Sequence, residues 1–261
     1  MEMGQNTLND IGYLAGSDPE RLDDLITALV DPKISAVICS RGGYGALRLL
    51  DGIDWEMLGG IPPKPFIGFS DIGALQLVLL ERSGWISYSS LQGAYGLGGN
   101  SSDRSIKNMR NWLEGNGGFE WEEGEDFRLT RESGTGEVSG TLLPICLSML
   151  VSLLGTAYEP KVSNAILCIE DINEPPYKLD RMFWQLAHSG WGQTIKCLIA
   201  GEFIYQEKSL NRHAVELIKH YFAPLGCHIF SDLSYGHTDD RMTLPIGAVV
   251  KIDNEGAIHL A

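Results

Sequence analysis

Short, continuously apolar runs alternate with amphipathic ones along this chain. "ISAVICS" (34–40), the run 65–69 with Phe66, Ile67 and Phe69, and "NAILCIED" (164–171) have the unbroken apolar pattern of strands covered on both faces. Leu22, Leu25, Ile26 and Leu29 fall at helical spacing. So do Ala74, Leu75, Val78 and Leu79, and later Leu179, Met182, Phe183 and Leu186. Asp18-Pro19 has the form of an N-cap followed by a first-turn proline, and "ALRLL" (46–50) reads as a helical segment. "WISYSS" (85–90) and "TIKCLIAGEF" (194–203) read as strands, and "SLNRHAVELIKHYFAPLG" (209–226) as a helix. The recurring order of strand, loop, helix and strand predicts an α/β fold with helices packed outside parallel sheets.

The pattern breaks once. A helix ends near Gly115, and the polar, glycine-rich stretch after it has only short β-like alternation, so it reads as hairpin and crossover. Apolar spacing resumes from Leu143 to Thr156, with Gly155 as a C-cap signal. Short strands in 243–253 and 257–260 close the chain, and no internal repeat is visible. The organisation expected is a lobe over 1–115, a crossover over 116–140 and a second α/β lobe over 141–261.

Composition narrows the classes. A chain of 261 residues with 44% hydrophobic content can bury one large or two modest cores. Its 34 acidic against 20 basic residues give a net charge of -14, which repels polyphosphate and argues against nucleic-acid binding. Cys39, Cys146, Cys168, Cys197 and Cys227 are far apart and contain no C-x-x-C, so neither a disulfide framework nor a zinc knuckle is suggested. The N-terminal stretch lacks the basic-then-apolar order of a secretory signal, and no apolar run reaches the ~18 residues of a bilayer span. A soluble cytoplasmic protein without a membrane partner is the expectation.

Four stretches carry candidate chemistry. Ser70 ends the run "IGFS" where a helix begins, so its hydroxyl is expected at the C-terminal edge of a parallel sheet, where ligands collect. "GFSDI" supplies one glycine of the G-x-S-x-G nucleophile turn but has Ile72 in place of the second, and a helix-capping serine looks the same. "RGGYG" (41–45) follows a buried strand, and its glycines allow backbone amides to approach a ligand or merely make a turn. In "CIEDINEPPYKLDR", Glu170 and Asp171 end a buried strand, where a carboxylate needs a partner. That partner could be a histidine or an arginine. Glu170 with Glu174 could also form a glycosidase pair, and with a histidine the acids could hold a metal. Of six histidines, His237 lies in the glycine-flanked loop "SYGHTDDRMTLPIG". Serine, glutamate and histidine thus occur in that order, each at a strand end or in a loop, as nucleophile, orienting acid and base would.

"SRGGYGALRLL", "IGFSD", "IEDINEPPYKLDRM" and "GHTDDRMTLPIG" together resemble the LD-carboxypeptidase family of serine peptidases. That family includes murein tetrapeptide carboxypeptidases and microcin C immunity peptidases. The resemblance implies a Rossmann-like N-terminal lobe, a C-terminal α/β lobe, an active site between them and a homodimer. Carried onto this chain, it implies Ser70 as nucleophile, Glu170 as orienting acid and His237 as base. The amides of Asp71 and Gly43 would bind the oxyanion, and no metal or cofactor would be needed. The substrate implied is a short peptide with a terminal D-residue, whose carboxylate would meet Arg41, Arg181 or Arg241. Three features depart from the family. The strand that precedes "GYLAG" in relatives is absent, so the first lobe is expected to lack its first strand. Ser89-Ser90-Leu91 replaces His-Gly-Pro, and Pro144-Ile145-Cys146 replaces Gly-Gly-Asn. These changes leave open a peptidyl-nucleotide amide as substrate, or a non-catalytic muropeptide binder on the same scaffold.

Overall fold

The computed structural model describes residues 2–99, 101–122, 125–161 and 163–261. The first part runs α1 (Asp18–Val30), β1 (Val37–Ile38), α2 (Trp55–Gly59), β2 (Phe66–Gly68), α3 (Ile72–Ser83), β3 (Ser87–Ser89) and α4 (Asp103–Leu113). A hairpin of β4 (Glu120–Glu122) and β5 (Glu125–Asp126) follows, then β6 (Thr130–Ser133). Next come β7 (Val138–Cys146), α5 (Leu147–Leu153), β8 (Ala165–Ile172), α6 (Pro176–His188), β9 (Ile195–Tyr205) and β10 (Lys208–Ser209). The chain ends with α7 (Asn211–Phe222), β11 (His228–Ser231), β12 (Leu244–Ile246), β13 (Val249–Ile252) and β14 (Ile258–Leu260). Among the described residues no helix is long and apolar enough to cross a membrane.

Two sheets organise these elements. In the first, the order is β1-β2-β3-β12; the first three strands are parallel and β12 is antiparallel to β3. The second has the order β14-β13-β7-β8-β9-β11-β6, with β10 hairpinned onto β9. Its centre, β7-β8-β9-β11, is parallel, and antiparallel strands flank it on both sides. Strand β12 therefore returns to the first sheet from the last third of the sequence. Helix α3 lies between the two sheets: every residue from Gly73 to Leu79 is buried. It shares one core cluster with Phe66 and Trp85 on one side and Leu143, Ile145, Leu147 and Leu150 on the other. Burying Leu75, Leu77, Val78 and Leu79 stabilises this junction by roughly 1.5–3 kcal/mol per side chain.

Two local expectations are corrected. Ser17, not Asp18, caps α1: its hydroxyl accepts the Glu20 amide and the Glu20 carboxylate accepts the Ser17 amide at 2.7 Å. Asp18 is instead inside the first turn and pairs with Arg21 and Arg48. The apolar stretch 143–156 is not one helix either. Its first residues complete β7, because this strand is covered on both faces and hides its alternation. Pro144 is tolerated there for a definable reason. Leu142 exchanges hydrogen bonds with the chain at Gly247 and Ala248, and two residues further on, on the same side of β7, β13 no longer runs alongside.

Candidate active site

The serine stands on a strained turn. Ser70 follows β2 at φ 61°, the left-handed region that costs a non-glycine residue about 1–2 kcal/mol. Its flanks are shaped to permit this. A Cβ at Gly68 would fall 2.3 Å from Ile72 Cγ2, so the strand can approach the first turn of α3 only without a side chain. A Cβ at Gly42 would fall 2.9 Å from the Phe69 carbonyl oxygen and 3.3 Å from Ser70 Oγ. The glycine loop 41–45 therefore lies directly against the serine.

That loop is held where it leads into the next segment. The buried Asp71 carboxylate accepts the Ala46 amide at 2.7 Å, and Arg21 Nη1 donates to the Gly45 carbonyl at 3.1 Å. Burial pushes the Asp71 carboxyl up from its ordinary value, opposed by the Ala46 hydrogen bond. Gly43, just before these anchors, has φ 73°.

The acid comes from the other sheet and the imidazole from the loop that joins the two sheets. Glu170, near the end of β8, is fully buried in register with Cys146 of β7. His237 lies in the loop between β11 and β12, with Nδ1 2.7 Å from Glu170 Oε2 and Nε2 3.1 Å from Ser70 Oγ. Three side chains distant in sequence thus form one continuous hydrogen-bonded line. The imidazole packs on the Phe69 ring, 4.7 Å between centroids. Of the two glutamates weighed as a pair, Glu170 bonds the imidazole and Glu174 lies 3.3 Å from Lys178 Nζ. Among the described residues no group of three or more His, Cys, Asp or Glu side chains could hold a metal ion.

Sequence reasoning missed the frame around this line. Phe69 meets Tyr235 edge-on at 5.7 Å, and the Tyr235 hydroxyl bonds Ser89 Oγ at 2.8 Å. Gln92 donates to the Phe69 carbonyl, and Ser90 Oγ meets Thr243 Oγ1 at 2.5 Å. The divergent Ser89-Ser90-Leu91 is therefore bonded into the loop that carries His237, and Leu91 fills core beside Ile67 and Met109. Asp171 accepts the amides of Ser148 at 2.7 Å and Ile172 at 2.8 Å, anchoring the start of α5. Burial, then the charge of Glu170, raises the Asp171 carboxyl to about 6. Cys146 donates to Asp171 from 3.4 Å, and burial keeps its thiol well above the ordinary range, hence protonated and inert. Only chain adjacency to the quoted motifs could have flagged these residues.

The three arginines have different fates. Arg41 is exposed on the glycine loop with its guanidinium 4.9 Å from the Tyr95 ring centroid. Arg181 is exposed on α6, 5.8 Å from the Tyr177 ring. Arg241 is only 6% exposed, with its guanidinium 4.3 Å from the Phe69 ring centroid, and burial lowers its pKa.

Known proteins match this chain over most of its length. The LD-carboxypeptidase N-terminal domain model matches residues 1–90, and the LD-carboxypeptidase C-terminal domain model matches residues 139–252. The murein tetrapeptide carboxypeptidase of Pseudomonas aeruginosa is 32% identical, the match covering 92% of this chain and 80% of the relative. The crystal structure of muramoyltetrapeptide carboxypeptidase from Oxalobacter formigenes superposes with a TM-score of 0.79 at 27% identity, over 97% of this chain and 84% of that one. A MccF-like protein from Bacillus anthracis shares the fold, with a TM-score of 0.82 at 21% identity over 96% and 83% of the two chains. With both halves matched and the relatives covered over most of their length, the chain is a member of the LD-carboxypeptidase family of serine peptidases.

Proposed function

We propose that this protein is a serine carboxypeptidase that hydrolyses an L,D-peptide bond next to the C-terminus of a short peptide, such as a murein tetrapeptide. The observation that carries this reading is the line Ser70 Oγ–His237 Nε2 at 3.1 Å and His237 Nδ1–Glu170 Oε2 at 2.7 Å. A serine hydroxyl is a weak nucleophile until a neighbouring imidazole accepts its proton. Ser70 Oγ attacks the scissile carbonyl carbon as His237 Nε2 takes that proton, and Glu170 stabilises the resulting imidazolium. The amides of Asp71 and Gly43 receive the tetrahedral oxyanion. His237 then protonates the leaving amine of the D-residue, the C–N bond breaks, and water resolves the acyl-serine by the same route.

The test is release of the terminal D-residue from an L,D-tetrapeptide by purified protein, followed by mass spectrometry. Ser70→Ala is expected to reduce turnover by at least about 10⁴-fold with an unchanged far-ultraviolet circular dichroism spectrum. Turnover that survives this substitution would overturn the reading. A peptidyl-nucleotide amide assayed in parallel separates the murein substrate from the microcin type. A protein that binds the tetrapeptide but cleaves neither substrate would be the non-catalytic binder.

A further inference from the structure

We infer that Arg241 is a positioning residue of the reaction: its buried guanidinium, laid on the Phe69 ring, seats the His237 imidazole beside Ser70 and answers the charge of Glu170. The inference rests on Ser70, His237 and Glu170 acting as nucleophile, base and orienting acid. The loop that carries His237 is closed on itself and docked. Met242 N donates to the Ser234 carbonyl at 2.8 Å, which closes a loop over 234–242. Helix α4 holds it from the first sheet's side of the molecule: the Asp239 carbonyl accepts the Ser102 amide at 3.2 Å, and the Arg241 amide donates to Ser105 Oγ at 3.0 Å.

From that anchor the Arg241 side chain turns inward. Its Nη1 comes within 3.5 Å of the Gly236 carbonyl, one residue before His237, and its guanidinium carbon lies 4.3 Å from the Phe69 ring centroid. Phe69 directly precedes Ser70, and the imidazole packs on the same ring at 4.7 Å. One ring thus carries both the guanidinium and the imidazole, next to the nucleophile. A planar guanidinium lies flat on such a face, which a compact ammonium does not do. Charge is the second half of the argument. A buried cation is costly unless an opposite charge answers it. Arg241 is buried, yet among the described residues it has no carboxylate within ion-pair distance. Burial lowers its pKa, and the charge that opposes this most strongly is that of Glu170, ahead of Asp239. Glu170 is itself fully buried. Two opposite charges shut away from water therefore act on each other at longer range, where the low dielectric keeps the attraction strong. Arg241 touches no substrate from there; it acts through the ring, the loop and the acid that orient the imidazole.

The experiment is a double-mutant cycle. It is read as kcat and KM on an L,D-tetrapeptide, and as the rate of fluorophosphonate labelling at Ser70, which needs no natural substrate. Arg241→Met loses the charge and the planar stack, and is expected to lower kcat and the labelling rate about 10- to 100-fold with KM within about twofold. Arg241→Lys keeps the charge but not the plane, so it should recover part of the loss. In a Glu170→Gln background, where no charge is left to answer, Arg241→Met should cost at least about threefold less than in the native enzyme. The same loss factor in both backgrounds, with Arg241→Lys no better than Arg241→Met, would reduce Arg241 to packing and overturn the inference. So would unchanged rates in a folded Arg241→Met protein, or a loss confined to KM. Should Arg241→Met not fold, Arg241→Gln takes its place in the same cycle, with the same expected and contrary results. Failure of the proposed function itself would show differently, as native turnover that survives Ser70→Ala.

Discussion

Ser70 shows how one residue is prepared by its neighbours. Its backbone strain is tolerated because Gly68 and Gly42 let the strand, the helix and the glycine loop close around it. Gly42→Ala must push the Phe69 carbonyl or Ser70 itself, since each lies 2.9 Å from the new methyl group. We expect kcat to fall at least about tenfold while stability changes by about 1–3 kcal/mol, measured by steady-state kinetics beside urea unfolding. Glu170 is a second case. A fully buried carboxylate costs several kcal/mol unless something answers its charge, and the His237 imidazole lies 2.7 Å from Glu170 Oε2. Glu170→Gln keeps the shape and removes the charge, so kcat should fall by roughly 10²–10⁴-fold with KM little changed. A KM effect of the same size with kcat intact would place Glu170 in binding rather than in catalysis.

At the scale of elements, two aspartates act as joints. Asp71 ties the start of α3 to the glycine loop through the Ala46 amide. Asp71→Ala leaves that buried amide without an acceptor and should cost about 1–3 kcal/mol in urea unfolding, whereas Asp71→Asn retains an acceptor and should cost less. Asp171 anchors α5, and its carboxyl is raised from 3.8 to about 6. A raised carboxyl binds its proton more tightly in the folded state, so the stability it contributes is present below pH 4 and is lost as pH rises through about 6. The shift corresponds to a loss on the order of 3 kcal/mol across that window. Unfolding free energies at pH 4 and pH 7 should therefore fall more steeply for the native protein than for Asp171→Asn; parallel slopes would contradict this.

How much of this was legible in the sequence differs element by element. Helices α3, α6 and α7 and strands β8 and β9 declared themselves, because each has one dominant periodicity or one unbroken apolar run. Strand β7 did not, since a two-sided strand running straight into α5 has no period to separate them. The strand "HIFS" of β11 is too short and mixed to stand out. For the site, the three residue types and their strand-end settings could be read, but not their meeting. Glu170 and His237 are 67 positions apart, and Ser70 and His237 are 167 apart. What brings them together is packing of α3 against β7, which no local pattern encodes.

At the scale of the whole molecule, the two sheets are stapled rather than merely adjacent. Strand β12 leaves the His237 loop to pair with β3, and Asn108 of α4 accepts the Thr243 amide at 2.8 Å. The core around α3 draws on both sheets. We expect a single cooperative unfolding transition, with coincident circular dichroism and tryptophan fluorescence curves. Two separated transitions would mean the halves fold independently.

The central claim is that Ser70 is activated by an imidazole on the loop that joins the two sheets. Labelling with a fluorophosphonate tests it most directly, because the reagent captures a serine whose proton has an acceptor at hand. The account predicts rapid one-to-one labelling that maps to Ser70 by peptide mass spectrometry and falls at least about a hundredfold in a folded His237→Ala protein. Labelling at another residue, or a rate at Ser70 indifferent to His237, would contradict it.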